Sequence, residues 1–501
     1  MAKELYDGIY SSHKLVFIER IEKNIDYYLK NRILEVKRLQ QELFCVLNKS
    51  SLISVLKELK ENPEFDIQVI NSINLFKSNG RYCLLIGLSS VANNYSMLLK
   101  VLLNSGTDDG SRQEYKEILP EIVQIFKAAE FYMSRNNLTH SYNDAVFESQ
   151  VFDGFDSFDI FLSTDYDIIN RAYLDTAISR VLPQNFNKDS SLFDLQTSVS
   201  RYDYSAGIFP ELCLCLAVEE LLKIKVSRRV QYIRILLSEL SRISSHIYFV
   251  ARIAKVIGAD MAFNFSLLER EHVLRILEEI TGSRINPNFI KIGGIKKDFK
   301  PETAANIKGS LSGILKAVYK LETLLLDNSI ITAKLKNTGV ANKDVALACG
   351  TTGPNLRASG VRYDIRKNRN LMLYKDLSFL VAMGKYGDCL ERVQIRFREI
   401  YQSIKIIDQI TSDLPDEYIK KPVDISEVEL EYSEMISSVE CPHGVFKTFI
   451  EMKDNRVLNL IVLGPSRNSL YFAEKILPGN RVEDVELIIA SLDICSGELM
   501  S

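Results

Sequence analysis

The sequence predicts an α+β fold: a small N-terminal α+β domain, then a mainly α-helical bundle domain with flanking β-hairpins. Three observations predict it. Between about residues 208 and 410 the apolar side chains recur at spacings of three and four, the period of a helix buried on one face. Before and after that region, at 146–169 and 439–463, apolar residues alternate between turn signals, the period of a half-buried strand. Finally, 501 residues at 46% hydrophobic composition suffice to fill more than one core.

In chain order, residues 33–60 (ILEVKRLQQELFCVLNKSSLISVLKELK) show helical spacing, and 66–88 reads as two strands around a Ser-Asn-Gly turn. The polar stretch RNNLTHSYND, 135–144, marks a boundary between domains spanning 1–140 and 145–501. Ser227 is placed to cap a helix whose inward face is Val230, Ile233, Leu237, Leu240, Ile243 and Ile247. Arg228, Arg229, Gln231, Arg234, Glu239 and Arg242 are expected on its other faces. LLEREHVLRILEEITGSRI is a second helix stopped by Gly282, residues 376–410 are a third, and 439–463 is a hairpin turning at Lys-Asp-Asn. The segment 349–369, with its glycines, Pro354 and arginines 357, 362, 366 and 369, reads as a long irregular loop. Such a loop suits an anion or another subunit's backbone, or else is a solvated basic loop. If it docks, it should take its order from partner subunits.

Composition excludes several classes. Lys+Arg 62 against Asp+Glu 65 leaves a net charge of -3, so no basic surplus points to nucleic acid. No apolar run is long enough for a membrane span, and residues 1–30 lack a signal-peptide pattern, so a chain neither secreted nor membrane-spanning is expected. The 8 cysteines contain no C-x-x-C pair and read as reduced thiols, with Cys213 and Cys215 packing in a helix. None of the 5 histidines lies within four residues of another, so no H-E-x-x-H metal motif exists.

Four segments in order, RRVQYIRILLSELSRISSHI, LEREHVLRILEEITGSRINPNFIKIGGIKKD, CGTTGPNLRASGVRYDIRK and IIASLDICSGEL, resemble the D-type subunit of respiratory complex I, the NADH:quinone oxidoreductase. The resemblance runs from about residue 200 to the C-terminus. Residues 30–135 are similar to the C-type subunit, through KELKENPEFD and IFKAAEF, although YMSRNNL stands where that family has an acidic signature. The resemblance thus implies a C-type domain over 1–140 fused to a D-type domain over 145–501.

The D-type fold is similar to the large subunit of nickel–iron hydrogenases, which hold nickel with four cysteines. Here RYDYSA puts Asp203 and Ala206 at two of those positions, and DICSGE puts Cys495 and Glu498 at the others. One cysteine cannot complete a site that wants four soft ligands, so no metal is expected on this chain, and a hydrogenase-type catalytic subunit is disfavoured.

By the resemblance, Tyr204 is the quinone-headgroup tyrosine, a phenol that donates a hydrogen bond or proton to the quinone oxygen. The bland alternative is a tyrosine anchoring a helix start. The family's headgroup histidine falls near Asp153-Gly154, and its partner aspartate at Val256, so both members of that ion pair are replaced. Asp153, Gly154, Asp203 and Val256 are therefore the expected cavity residues. Arg180 falls where the family has an arginine near the terminal iron–sulfur cluster, or else is a surface arginine, and Arg357 and Arg362 are expected near that cluster or at a subunit contact.

The implied protein is a peripheral subunit on the cytoplasmic face of the membrane, with no cofactor of its own. Its implied partners are a B-type iron–sulfur subunit, an I-type ferredoxin-like subunit, an H-type membrane subunit and quinone. The rival reading is a non-catalytic scaffold of a complex I-like or hydrogenase-like assembly.

Overall fold

The computed structural model describes residues 18–39, 42–78, 80–90, 95–104, 107–126, 145–150, 157–175, 192–369, 371–417, 431–453 and 456–500. The chain divides into two units, Met1–Asn136 with Leu347–Gly350, and Asn137–Ala346 with Thr351–Ser501. The polar stretch 135–144 lies outside the described residues.

In the first unit, helix α1 (18–28) precedes β1 (Glu35–Leu39), β2 (Glu42–Asn48), α2 (Leu52–Glu61), β3 (Val69–Ser78), β4 (Arg81–Ser90), β5 (Tyr95–Leu102) and α3 (Asp108–Ile125). The strands form one sheet in the order β1-β2-β5-β4-β3. β2 and β5 run parallel and the other pairs antiparallel. Ile18, Ile21 and Ile25 of α1 and Leu52, Val55, Leu56 and Leu59 of α2, spaced by three or four, fill the core over the sheet. The hairpin expected at 66–88 is present. The helix expected over 33–60 is helical only from Leu52 onward. Upstream of it, Leu43–Val46 is a continuous apolar run, and pairing with β1 and β5 satisfies its backbone while burying both faces.

The second unit begins with the antiparallel sheet β6 (Ala145–Gln150), β7 (Ser157–Asp165) and β8 (Ile168–Asp175). There follow α4 (Leu192–Ser198), α5 (Ile208–Leu221), α6 (Arg228–Ile257), α7 (Asp260–Thr281) and the ribbon of β9 (Ile290–Lys291) and β10 (Gly294–Ile295). Helices α8 (Pro301–Leu326), α9 (Ser329–Leu335), α10 (Lys343–Ala348), α11 (Gly353–Ala358), α12 (Ile365–Asn368) and α13 (Cys389–Ser412) come next. A three-stranded antiparallel sheet of β11 (Ser433–Cys441), β12 (Gly444–Lys453) and β13 (Arg456–Leu463) precedes α14 (Ser466–Ile476) and α15 (Val485–Leu492). Helix α6 is the axis, packed by α7, α13 and α15, while α5 lies on β11 and β12. No described helix is long and apolar enough to cross a membrane.

Ser227 caps α6 by accepting the Val230 N–H, and Gly258 and Gly282, both in the left-handed region, end α6 and α7. The third helix starts later than its periodicity suggests, at Cys389, where Asp388 accepts the Glu391 N–H. The larger departure is on α6. Its supposed outer residues Arg229, Arg234, Glu239 and Arg242 are buried, because each meets a partner from elsewhere in the unit. Arg234 forks onto Glu219 at 2.8 and 2.5 Å, and Glu239 takes hydrogen bonds from Tyr374, Ser403 and Arg366.

The segment 349–369 also departs from expectation. It holds two short helices, and Arg357, fully buried, bonds Glu399 and Glu440 of its own chain. Arg357 thus draws its order from the core rather than from a partner subunit, whereas Arg362 is exposed.

Candidate functional site

Four segments far apart in sequence meet at the N-terminus of α5. The first is Ser200–Gly207. Asp203 folds back on its own backbone, its Oδ1 accepting the N–H groups of Ser205 at 3.0 Å and Ala206 at 2.9 Å, together with the Ser205 hydroxyl at 2.9 Å. This Asx-type turn fixes Tyr204 and Ser205 at its apex. Gly207 is required by crowding, since a Cβ there would stand 2.9 Å from the Ser200 carbonyl oxygen. One turn into α5, the Glu211 carboxylate accepts the N–H groups of Asn288, Phe289 and Ile290, which pins the chain following Pro287 against the same helix.

Tyr204 and Ser205, both half-buried, open onto a narrow pocket. Its walls are Ile208 from α5, Ser241 and Ser244 from α6, Arg270, Leu274 and Leu277 from α7, and Ser283, Arg284, Ile285 and Pro287. The lining mixes apolar side chains with hydroxyls and two arginines. The Ser244 hydroxyl is buried and makes no hydrogen bond to the described residues.

Behind the apex lies a buried charged cluster. The tight turn between β11 and β12, where Cys441 faces Gly444, presents His443. Its Nε2 is 3.1 Å from Ser205 Oγ and 3.6 Å from Asp203 Oδ1, and its Nδ1 is 3.2 Å from Asp493 Oδ2. Asp493 sits in the left-handed region just after α15 and also faces Arg252 at 3.3 Å and Arg396 at 3.5 Å. Burial alone would lower the His443 pKa, but Asp493 and Asp203 outweigh it and hold the imidazole well above its ordinary value, hence protonated. Burial would raise the Asp493 pKa, but His443 first and then the arginines bring it below the usual carboxylate range. Glu498, which accepts the Ser466 N–H and hydroxyl, is pushed up to about 7 by burial, with Asp203 adding to the rise.

The backbone holds His443 closely. Gly353, with φ +66, passes so near the turn that a Cβ would lie 2.4 Å from Gly444 Cα, and Thr352 accepts the Val445 N–H. At the C-terminus, a Cβ on Gly497 would meet the Tyr202 carbonyl oxygen at 2.6 Å, so the RYDYSA and DICSGE segments are in contact.

Atoms of Asp203, His443 and Cys495, and of Asp203, Cys441 and Glu498, lie within 4.8 Å of one another. The set does not fit the four-thiolate nickel site of hydrogenases, because Asp203 and Ala206 replace thiols in RYDYSA and Glu498 replaces one in DICSGE. His443 faces both Asp203 and Asp493, Arg252 and Arg396 face Asp493, and burial pushes the Cys441 thiol well above its ordinary pKa.

Of the residues expected from sequence, Tyr204 and Asp203 meet here, Tyr204 on the pocket and Asp203 beneath it. Val256 does not. It is half-buried near the C-terminus of α6, twelve residues beyond Ser244 and so roughly 18 Å along the helix. Asp153, Gly154 and Arg180 lie outside the described residues. Arg357 is committed to the core and Arg362 is exposed. Sequence reasoning missed His443 and Asp493. The signal for His443 was the Cys-Pro-His-Gly turn between two alternating segments.

Residues 257–500 match the family described as respiratory-chain NADH dehydrogenase, 49 Kd subunit. The D-type subunit of the NADH-quinone oxidoreductase of Methylacidiphilum infernorum is 30% identical over 366 residues, covering 68% of this chain and 88% of that protein. Its counterpart in Chlorobium phaeovibrioides is 34% identical over 308 residues, covering 60% and 77%. Among solved structures, a chain of the membrane-bound sulfane sulfur reductase, an archaeal respiratory membrane complex, superposes with a TM-score of 0.68 at 25% identity, covering 72% of this chain and 98% of that one.

Proposed function

Since the chain belongs to the 49 kDa, or D-type, subunit family of NADH-quinone oxidoreductases and is thus a subunit of a multisubunit oxidoreductase complex, we propose that its pocket at Tyr204 forms the headgroup end of a quinone cavity. The observation that carries this reading is the composition of the pocket. Ile208, Leu274, Leu277 and Ile285 offer apolar surface to a ring, while Tyr204, Ser205 and the unused Ser244 hydroxyl offer hydrogen-bond donors.

Quinone reduction to quinol adds two electrons and two protons. In this reading an iron–sulfur cluster on a B-type partner supplies the electrons. The chain's own residues bind the ring, orient one carbonyl oxygen toward the Tyr204 hydroxyl, and stabilise the negative charge that develops there. The cavity is completed by that partner and by an H-type membrane subunit, with an I-type ferredoxin-like subunit further along the electron path. The chain holds no cofactor itself and sits peripherally on the cytoplasmic face of the membrane. Its first domain plays the C-type part.

A photoreactive quinone analogue applied to the assembled complex tests the site. Labelling is expected on peptides containing Tyr204–Ile208 and Leu274–Pro287, and excess quinone should suppress it. Labelling confined to other peptides or other subunits overturns the assignment.

A further inference from the structure

The family resemblance leaves the headgroup without its histidine–aspartate pair, yet the structure places a different histidine next to the same pocket. We propose that His443 is a proton-supplying residue for this pocket, acting through the hydroxyl of Ser205, which both lines the pocket and touches the imidazole. The inference rests on the quinone reading and adds a proton route to it.

The geometry is a short chain of contacts. Ser205 Oγ lies 3.1 Å from His443 Nε2, 2.9 Å from Asp203 Oδ1 and 3.0 Å from Ser245 Oγ, and Ser205 itself borders the pocket beside Tyr204. A hydroxyl in this place can give its proton to a reactant oxygen and take another from the imidazolium in the same event. The balance is simple. The reduced quinone oxygen gains the Ser205 proton, Ser205 regains one from His443 Nε2, and His443 is left as neutral imidazole. The electrons come from the complex's own donor.

The groups facing His443 explain why it would be recharged. Asp203 lies on the Nε2 side, from the segment before α5, and Asp493 on the Nδ1 side, from the end of α15. Arg252 of α6 and Arg396 of α13 sit behind Asp493. Cys441, at the end of β11, and Glu498 approach Asp203, and Cys495 completes the surroundings. A neutral imidazole leaves Asp203 without a cation at salt-bridge distance among the described residues, so regaining the proton is favoured. Glu498, pushed up to about 7 mainly by burial, can exchange a proton at neutral pH close to this cluster.

His443 is a positioning residue by this account, and Ser205 the group that touches the reactant. The test uses the assembled complex carrying Ser205→Ala and Ser205→Thr, since Ser205 is only half-buried and neither change disturbs the charge count. Ser205→Ala should slow quinone reduction roughly tenfold or more and Ser205→Thr should restore most of it, with photolabelling of the pocket retained in both. Nitrogen NMR of histidine-labelled wild-type complex, with His443 assigned by its loss in His443→Gln, should show both ring nitrogens protonated at pH 8. Full turnover in Ser205→Ala with labelling retained overturns the proton route and leaves the quinone site standing. Absence of labelling in the wild type overturns both. A neutral His443 imidazole at pH 8 overturns the route on its own.

Discussion

Arg357 directs both Nε, at 3.0 Å, and Nη2, at 2.6 Å, onto a single oxygen of Glu399, in a place from which solvent is excluded. Its Nη1 reaches Glu440 at 2.7 Å and the Tyr363 carbonyl at 2.9 Å, while the second Glu399 oxygen faces His246 at 3.0 Å. The guanidinium ties α11, α13 and β11 together at the base of the turn that carries His443.

Removing one partner of such a pair leaves a buried charge uncompensated. Arg357→Ala should therefore destabilise the chain by about 3–5 kcal/mol, read as a shifted chemical-denaturation midpoint. Arg362→Ala, on the exposed side of the same segment, should change stability by less than about 0.5 kcal/mol. Equal and small effects would mean that the buried network is dispensable.

Gly353→Ala is expected to be among the most damaging single-methyl additions in the protein. The residue sits at φ +66, costing about 1–2 kcal/mol for an L side chain, and the added carbon would collide with the backbone of Gly444. The neighbour cannot yield without moving His443. The expected outcome is loss of stability together with loss of quinone reductase activity, whereas Gly313→Ala on α8, where a Cβ meets nothing within 4 Å, should leave activity intact and not destabilise.

How much of this was legible in sequence varies with the residue. Tyr204 and Asp203 could be singled out because RYDYSA is a contiguous motif, and the turn they form lies within it. The caps at Ser227 and Gly282 follow from local chemistry, which one segment contains in full, whereas the stop at Gly258 was seen only in the structure. The buried charges of α6 were not legible. Periodicity ranks Arg234 and Glu239 by polarity alone, while their burial is decided by Glu219, Arg366 and Tyr374, residues brought up by tertiary packing. The strands at 35–48 were hidden for a related reason: Leu, Glu and Gln favour helices locally, and only pairing with β5 overrides that preference. His443 gave a single weak signal, a histidine in a two-residue turn, because Asp203 and Asp493 lie far from it in the chain.

The His443–Asp493 pair has a defined pH signature. The imidazole's folded pKa is raised above its unfolded value near 6.5, so its contribution to stability is complete below that pH and is lost as pH rises through the folded value. Asp493 has a lowered folded pKa, so its contribution is present above its unfolded value and is lost as pH falls through the folded one. Denaturation midpoints of the wild-type chain should fall on the alkaline side, and His443→Gln should flatten that limb while lowering stability at pH 6. An unchanged alkaline limb in His443→Gln would show that the imidazole is not held charged.

The Tyr204 hydroxyl is proposed to donate a hydrogen bond to one carbonyl oxygen of bound quinone, beside the Ser205 hydroxyl. Tyr204→Phe keeps the ring and removes only the donor, so the most direct measurement is quinone reductase turnover of the assembled complex carrying this change. With assembly normal, turnover should fall roughly 10²-fold or more, the loss expected for a donor that acts mainly in the transition state. Unchanged turnover in a normally assembled Tyr204→Phe complex would contradict this role and leave the chain a structural scaffold.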